Sequence, residues 1–452
     1  LRLVSGNHSD IKQGEIVHVT IETYDSRNMR KNVGGDFFFA VMSNGGNVST
    51  AGRVADHMNG TYSVHFYAGW NGSASIHVIL VHPREAVHWL KTSFLPRERR
   101  IEWTGIFSNV TTNETSVCYV SGSTGSAEDV CEFGNRNSLG NTVFVCEKAD
   151  SLPCETLTYT RVKKSSLSDA AEKIVSEYEV DYLFKGPHIM TKLAGSPLKL
   201  EIQGRHDSNF DNLQPCIAEL PIPISDGFWI DGETWQSLVC RARHFTLQQA
   251  LECLRGKSVY LLGDSTVRMW QNFFRVNMTR TMSAAGAHRL LTSDEYNVSI
   301  LFEFPAIRIG SVWSEFKNDK YESDVLDSLQ SCNIIVTLSL TYHFESWTNR
   351  SYMERLHHVH SAVQRLMSRC PGAIVIIKSS HPREHTTRYS HVHSSDWTLF
   401  QMNTITRKMF SGMGVSFLDV YDMSLSHYSV NDVHMHIPAR QQIDLFLSFV
   451  CP

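Results

Sequence analysis

From residue 246 onward the chain repeats one arrangement: short, continuous apolar runs alternate with longer stretches whose apolar residues recur every three or four positions. The runs are Val259-Tyr260-Leu261-Leu262, Ile334-Ile335-Val336-Thr337-Leu338, Ala373-Ile374-Val375-Ile376-Ile377 and Val415-Ser416-Phe417-Leu418. A strand that is apolar on both faces is buried on both faces, as in a parallel sheet covered by helices. Segments 353–369 and 397–410 carry the helical period. A closing helix over 439–449 groups Ile443, Phe446, Leu447 and the adjoining Val450 on one face. Thr246 can cap a helix through Leu247, Leu251 and Leu254, with Gly256 ending it. The expectation is a three-layer α/β/α domain whose site lies outside the carboxyl ends of its strands. Three strand-end segments qualify: 263–265, 341–344 and 378–384.

The first third follows a different period. Ile16-Val17-His18-Val19-Thr20-Ile21 and Tyr62-Ser63-Val64-His65-Phe66 alternate apolar with polar, and Gly34-Gly35-Asp36, Asn44-Gly45-Gly46 and Asn71-Gly72 punctuate them. Short strands at this spacing predict an immunoglobulin-like β-sandwich over 1–95. Residues 96–195, rich in Ser, Thr, Asn and Cys, read as a disulfide-stapled connector with one helix around 168–178. The stretch 196–245, with Phe228, Trp229 and Trp235, is expected to wrap the following domain, so 196–452 is taken as one unit. At 452 residues the chain is too long for a single core.

Nine Asn-X-Ser/Thr sequons, at Asn7, Asn47, Asn59, Asn71, Asn109, Asn113, Asn277, Asn297 and Asn349, point to a glycan-bearing surface. Ten cysteines without paired knuckles fit disulfides in an oxidising lumen, with Cys118, Cys131, Cys146 and Cys154 stapled among themselves. A net charge of −4 argues against a nucleic-acid partner, and no apolar run is long enough to span a bilayer. The chain begins at Leu1, which leaves room for a removed signal peptide or amino-terminal anchor. Of 22 histidines, His381, His385, His391 and His393 cluster, yet no His-Glu-X-X-His or cysteine partner accompanies them, and no metal is expected.

The first apolar run flows directly into Gly263-Asp264-Ser265-Thr266, which delivers a serine to the first turn of a helix. Unpaired N–H groups there can stabilise an alkoxide or a tetrahedral oxyanion. Gly263 permits the turn, and Asp264 or Ser265 can also serve simply as a cap. A serine hydroxyl needs a base. Asn431-Asp432-Val433-His434, just before the closing helix, supplies His434 as the candidate base and Asp432 as the carboxylate that orients it, with His436 the alternative base. Arg268, one turn after Ser265, can bind an oxyanion or an anionic substrate. His343, between Tyr342 and Phe344, is a candidate pocket residue.

The ordered set Gly263-Asp264-Ser265-Thr266-Val267-Arg268-Met269-Trp270, Tyr342-His343-Phe344 and Asp432-Val433-His434 resembles the PC-esterase branch of SGNH-type hydrolases. Gly34-Gly35-Asp36-Phe37, Asn59-Gly60-Thr61-Tyr62 and Val81-His82-Pro83 resemble a neurexophilin-type sandwich. Together they resemble the neurexophilin and PC-esterase domain family over nearly the whole chain. The resemblance implies Ser265 as nucleophile with Asp432 and His434 as partners, and Gly263, Asp264, Thr266, Arg268 and His343 around the oxyanion and substrate. It further implies a luminal (Golgi) or secreted glycan O-acetyltransferase acting on sialic acid of a glycoprotein acceptor. Acetyl-CoA would be the acetyl donor, with no permanently bound cofactor. The alternatives are a carbohydrate O-acetylesterase and a non-catalytic glycoprotein ligand. SGNH enzymes space the pair Asp-X-X-His and carry a separate Asn block; here Asn431 holds the three-before position and no such block follows the strand at 334–338.

Overall fold

The structure, a computed structural model, describes every residue except 5–9, 123–128, 163–168, 170–171, 187, 205–209, 283–287, 311–312 and 430–431. Alternation builds the amino-terminal part. Val17, Val19 and Ile21 of Ile16–Glu22 are buried, and so are Val64 and Phe66 of the partner strand Thr61–Tyr67. They share one core with Ala40, Met42, Ile76 and Val78 of a second sheet. The first sheet runs Arg2–Leu3, Ile16–Glu22, Thr61–Tyr67, Arg53–Asp56. The second runs Trp235–Ser237, Gly227–Trp229, Ser49–Ala51, Phe37–Ser43, Gly72–His82, Leu198–Gln203, Ile11–Lys12.

The chain therefore does not divide at 95 and 195 as composition suggests. Leu198–Gln203 pairs with Gly72–His82 and with Ile11–Lys12, and Trp229 pairs with Ser49, so segments expected in the catalytic unit complete the sandwich. Nor are residues 96–195 an irregular connector. Trp103–Ser108, Asn113–Ser121, Val130–Gly134, Val143–Glu147 and Leu157–Arg161 form an antiparallel sheet, extended by Ser314–Glu315. Its Ser and Thr content hides strands whose buried residues Trp103, Phe107 and Phe144 pack into the same cluster as Val336 and Leu356. Part of the helix expected around 168–178 lies outside the described residues; a helix runs Tyr178–Leu183.

The last sheet has the order Thr279–Met282, His288–Ser293, Val298–Glu303, Ser258–Leu262, Ile334–Leu338, Ile374–Lys378, Ser416–Leu418. Its last five strands are parallel, while the first two run antiparallel at the edge, so the sheet is mixed rather than wholly parallel. Alternate side chains enter opposite layers. Ile334, Val336 and Leu338 meet Leu356, Val363 and Met402 on one face. Val259, Leu261 and Ile335 meet Leu251, Trp270, Ile443 and Phe446 on the other. Thr246 caps Leu247–Cys253 through a capping box with Gln249, as its spacing predicts.

The ten cysteines form five disulfides, Cys118–Cys146 and Cys131–Cys154 among them; Cys253–Cys451 ties the first helix of this domain to the end of the last. No helix among the described residues is long and apolar enough to cross a membrane. The eight sequon asparagines among the described residues are all exposed; Asn7 lies outside them.

Candidate active site

The strand Ser258–Leu262 lies between two parallel neighbours, so its carboxyl end opens where flanking loops converge. The ladder continues one residue further: Gly263 N–H donates to Glu303 O at 3.1 Å, and Ser339 N–H donates to Leu262 O at 2.9 Å. A Cβ on Gly263 would stand 2.6 Å from the Ser339 carbonyl oxygen. Gly263→Ala is therefore expected to cost about 1–3 kcal/mol, read as a lower denaturation midpoint, and to displace Ser265. An unchanged midpoint would contradict this close approach.

Asp264 caps the helix Ser265–Arg268. Its Oδ1 accepts from Thr266 N at 2.8 Å and Thr266 Oγ1 at 2.6 Å, and its Oδ2 accepts from Ser339 Oγ at 2.7 Å. Burial pushes this carboxyl's pKa up. The nearby Lys378 and the donors Thr266 and Ser339 outweigh that, holding it below the ordinary carboxylate range. Lys378 Nζ donates to Thr266 Oγ1 at 2.9 Å and to Ser379 O at 3.1 Å; burial draws its pKa down to about 8 against the pull of Asp264 and Asp419. Gly263, Asp264 and Thr266 thus spend their polar groups inside the protein. In these positions they shape the turn under Ser265.

Ser265, half-buried, points out of this turn. Its hydroxyl lies 2.7 Å from Nε2 of the exposed His434 and donates to it when the neutral ring carries its proton on Nδ1. Burial lowers the His434 pKa, with Asp432 opposing and Arg268 reinforcing, so the ring is neutral and able to accept a proton at neutral pH. Asp432 has a different task from the one expected. Its Oδ1 accepts from the backbone N–H of His434 at 3.0 Å, and no hydrogen bond to the His434 Nδ1 is present among the described residues. A carboxylate two positions ahead of an amide closes an Asx turn onto it. His436 begins the helix His436–Val450 and is exposed. Asn431 lies outside the described residues.

The loop bearing His434 is held by residues that sequence reasoning placed at strand ends without roles. His381 Nε2 donates to Asp432 O at 3.3 Å, and Glu384 Oε2 accepts from Val433 N at 2.9 Å. The Tyr342 hydroxyl donates to His381 O at 2.6 Å and accepts from His381 N at 3.1 Å. Their signal was position alone, in 341–344 and 378–384. Beside Ser265, the Arg268 guanidinium lies 5.1 Å from the centre of the Phe304 ring and that of Arg308 4.9 Å. His343 meets the same ring edge-on at 5.5 Å. Burial and the neighbouring Arg289 and Arg308 lower the Arg268 pKa, which marks a concentration of positive charge next to the serine. His385, of the histidine-rich segment, sits 2.8 Å from Asp396 and stacks on His391. Among the described residues no His, Cys, Asp or Glu cluster is arranged to hold a metal ion.

His434→Ala is expected to lower modification of Ser265 by a fluorophosphonate probe by about 10²–10⁴-fold, whereas His436→Ala leaves it unchanged. Equal losses in both variants would remove the distinction between the two histidines.

A serine raised on the turn after a central parallel strand, met by a histidine from the loop before the last helix, defines an α/β protein with a serine–histidine pair, here joined to a β-sandwich. Two family models match the chain: "Neurexophilin" over residues 3–182 and "NXPE family member 4-like, C-terminal domain" over residues 235–451. The chain belongs to the neurexophilin and PC-esterase domain family. Solved structures to which it is similar include the native aryl esterase of M. smegmatis, at 13% identity and a TM-score of 0.26, over 42% of this chain and 96% of that one. An extracellular lipase from Streptomyces rimosus matches at 11% and 0.21, over 42% and 97%. An active-site mutant of a family two carbohydrate esterase from Clostridium thermocellum matches at 8% and 0.24, over 97% and 91%. Likenesses of this size carry no argument about mechanism.

Proposed function

We propose that this protein is a serine-dependent glycan O-acetyltransferase of the secretory pathway, acetylating sialic acid on glycoproteins with acetyl-CoA as donor. The observation that carries the reading is the 2.7 Å contact between Ser265 Oγ and His434 Nε2 on an open surface. Ser265 Oγ attacks the acetyl carbonyl while His434 takes its proton; collapse expels the donor thiolate, which His434 reprotonates. A sugar hydroxyl then attacks the acetyl-serine ester, gives its proton to His434, and leaves as the O-acetyl ester while Ser265 is regenerated. The guanidinium of Arg268 suits a carboxylate-bearing acceptor. Five disulfides and the exposed sequon asparagines support a luminal or secreted location, the Golgi included. The strand order of the two amino-terminal sheets supports an immunoglobulin type for the sandwich.

The exposure of His434 favours a second reading, O-acetylesterase, in which water resolves the same intermediate. Incubation with acetyl-CoA and a sialylated glycan, followed by mass spectrometry, is expected to show one added acetyl group. Deacetylation of a pre-acetylated glycan without transfer would favour the esterase. Absence of both, with no fluorophosphonate labelling of folded protein, would leave a non-catalytic glycoprotein ligand.

A further inference from the structure

Between the sandwich and the α/β domain lies a cleft of about 700 Å³, within the range of small-molecule sites. One wall is aromatic and crosses the domain boundary. Phe37 lies 5.7 Å from Phe39 and 5.6 Å from Phe400, and Tyr421 lies 5.6 Å from Phe400 and 6.4 Å from Phe39, centre to centre. Phe400 is 41% exposed, unusually so for a phenylalanine set in a continuous ring wall. The charged groups of the lining balance in number: four carboxylates, Asp36, Asp56, Asp419 and Asp422, stand against four cations, Arg53, Lys378, Arg407 and Lys408. Arg53 pairs with Asp226 at 3.1 Å and Asp422 at 3.5 Å, and Arg407 pairs with Asp419 at 3.0 Å. Lys378, also in the lining, spends its ammonium on Thr266 and Ser379. With no net charge in the lining, the cleft has no excess of cations to select a phosphate or a carboxylate. What remains is hydrogen bonding: among the described residues the Tyr421 hydroxyl, on a residue only 8% exposed, has no hydrogen-bond partner.

An uncharged ligand with one flat C–H face and several hydroxyls fits such walls: its C–H face packs on the rings while one of its hydroxyls satisfies the tyrosine. We propose that this cleft is a second ligand site, separate from Ser265, that binds neutral pyranose units of a glycan chain. Its nearest link to the serine is Lys378, which lines the cleft and holds Thr266, the residue after Ser265. The site stands whether or not Ser265 transfers acetyl groups.

Saturation-transfer NMR on the full chain with N-acetyllactosamine as probe tests it. Transfer to ring protons is expected, with a dissociation constant of about 1 mM. Tyr421→Phe is expected to weaken binding about fivefold to tenfold. Phe400→Ala, at an exposed position and checked for fold by circular dichroism, is expected to abolish it, while Phe400→Tyr retains it. Ser265→Ala should leave binding intact while ending fluorophosphonate labelling, which separates this site from the proposed reaction. No transfer in the wild-type chain, or equal transfer in folded Phe400→Ala, would overturn the proposal.

Discussion

Ser265→Ala is expected to remove acetyl transfer and ester hydrolysis together, by at least about 10³-fold, with the chain still folded and secreted. The size of the effect follows from the geometry. The hydroxyl 2.7 Å from His434 Nε2 is the nucleophile that the loop and the strand end bring together, so its substitution removes the group that His434 activates. Folding is spared because Ser265 is only half-buried and the cap of its helix comes from Asp264, whose bonds go to Thr266 and Ser339. Turnover of an acetyl ester substrate, measured with the denaturation midpoint, checks both halves. Full activity in the variant would refute the nucleophile, and loss of secretion would show that Ser265 also serves the fold.

A steep loss of stability in mild acid is the second expectation. Burial draws the pKa of His343 and His391 down to about 4 and those of His381 and His393 to about 3. These rings stay neutral in the fold, while in the unfolded chain they charge near pH 6.5. Between those values the unfolded state binds more protons, so stability falls as pH drops from 6.5 towards 4 and 3. At pH 5 the penalty is roughly 2 kcal/mol for each of the four. Glu345 works in the opposite direction. Burial raises its pKa to about 7, outweighing the nearby Arg383, so it adds stability between pH 7 and its unfolded value. Asp226, Asp319 and Asp422, also raised by burial, act in the same direction as Glu345, while His82, lowered further, adds to the histidines. The histidines' share alone is comparable to the whole stability of an ordinary domain, about 5–15 kcal/mol. Urea midpoints at pH 7 and pH 5 test this; equal midpoints would mean that the rings find protons in the fold.

Much of this molecule is legible in local pattern. The strands at 16–21, 62–66, 259–262 and 334–338, the cap at Thr246 and the closing helix all follow from residues within a few positions of one another, since periods of 2 and 3.6 are local properties. The strands of the middle sheet were not legible. Asn113–Ser121 is polar on most positions, and its pairing is set by the partners Trp103–Ser108 and Val143–Glu147. Asp432 is the carboxylate expected to orient His434; from two residues before it, its Oδ1 accepts from the His434 backbone amide, a bond that residue types alone do not reveal.

By itself the amino-acid order determined the alternation of elements, the turn that lifts Ser265 and the set of groups able to react, because each depends on backbone preferences and neighbouring side chains. Only the tertiary structure decided that Leu198–Gln203 closes the sandwich, that Thr266 and Lys378 face inward, and that position 434 returns across 169 residues to meet position 265. Such meetings depend on which distant surfaces bury one another, and no short window of sequence carries that information.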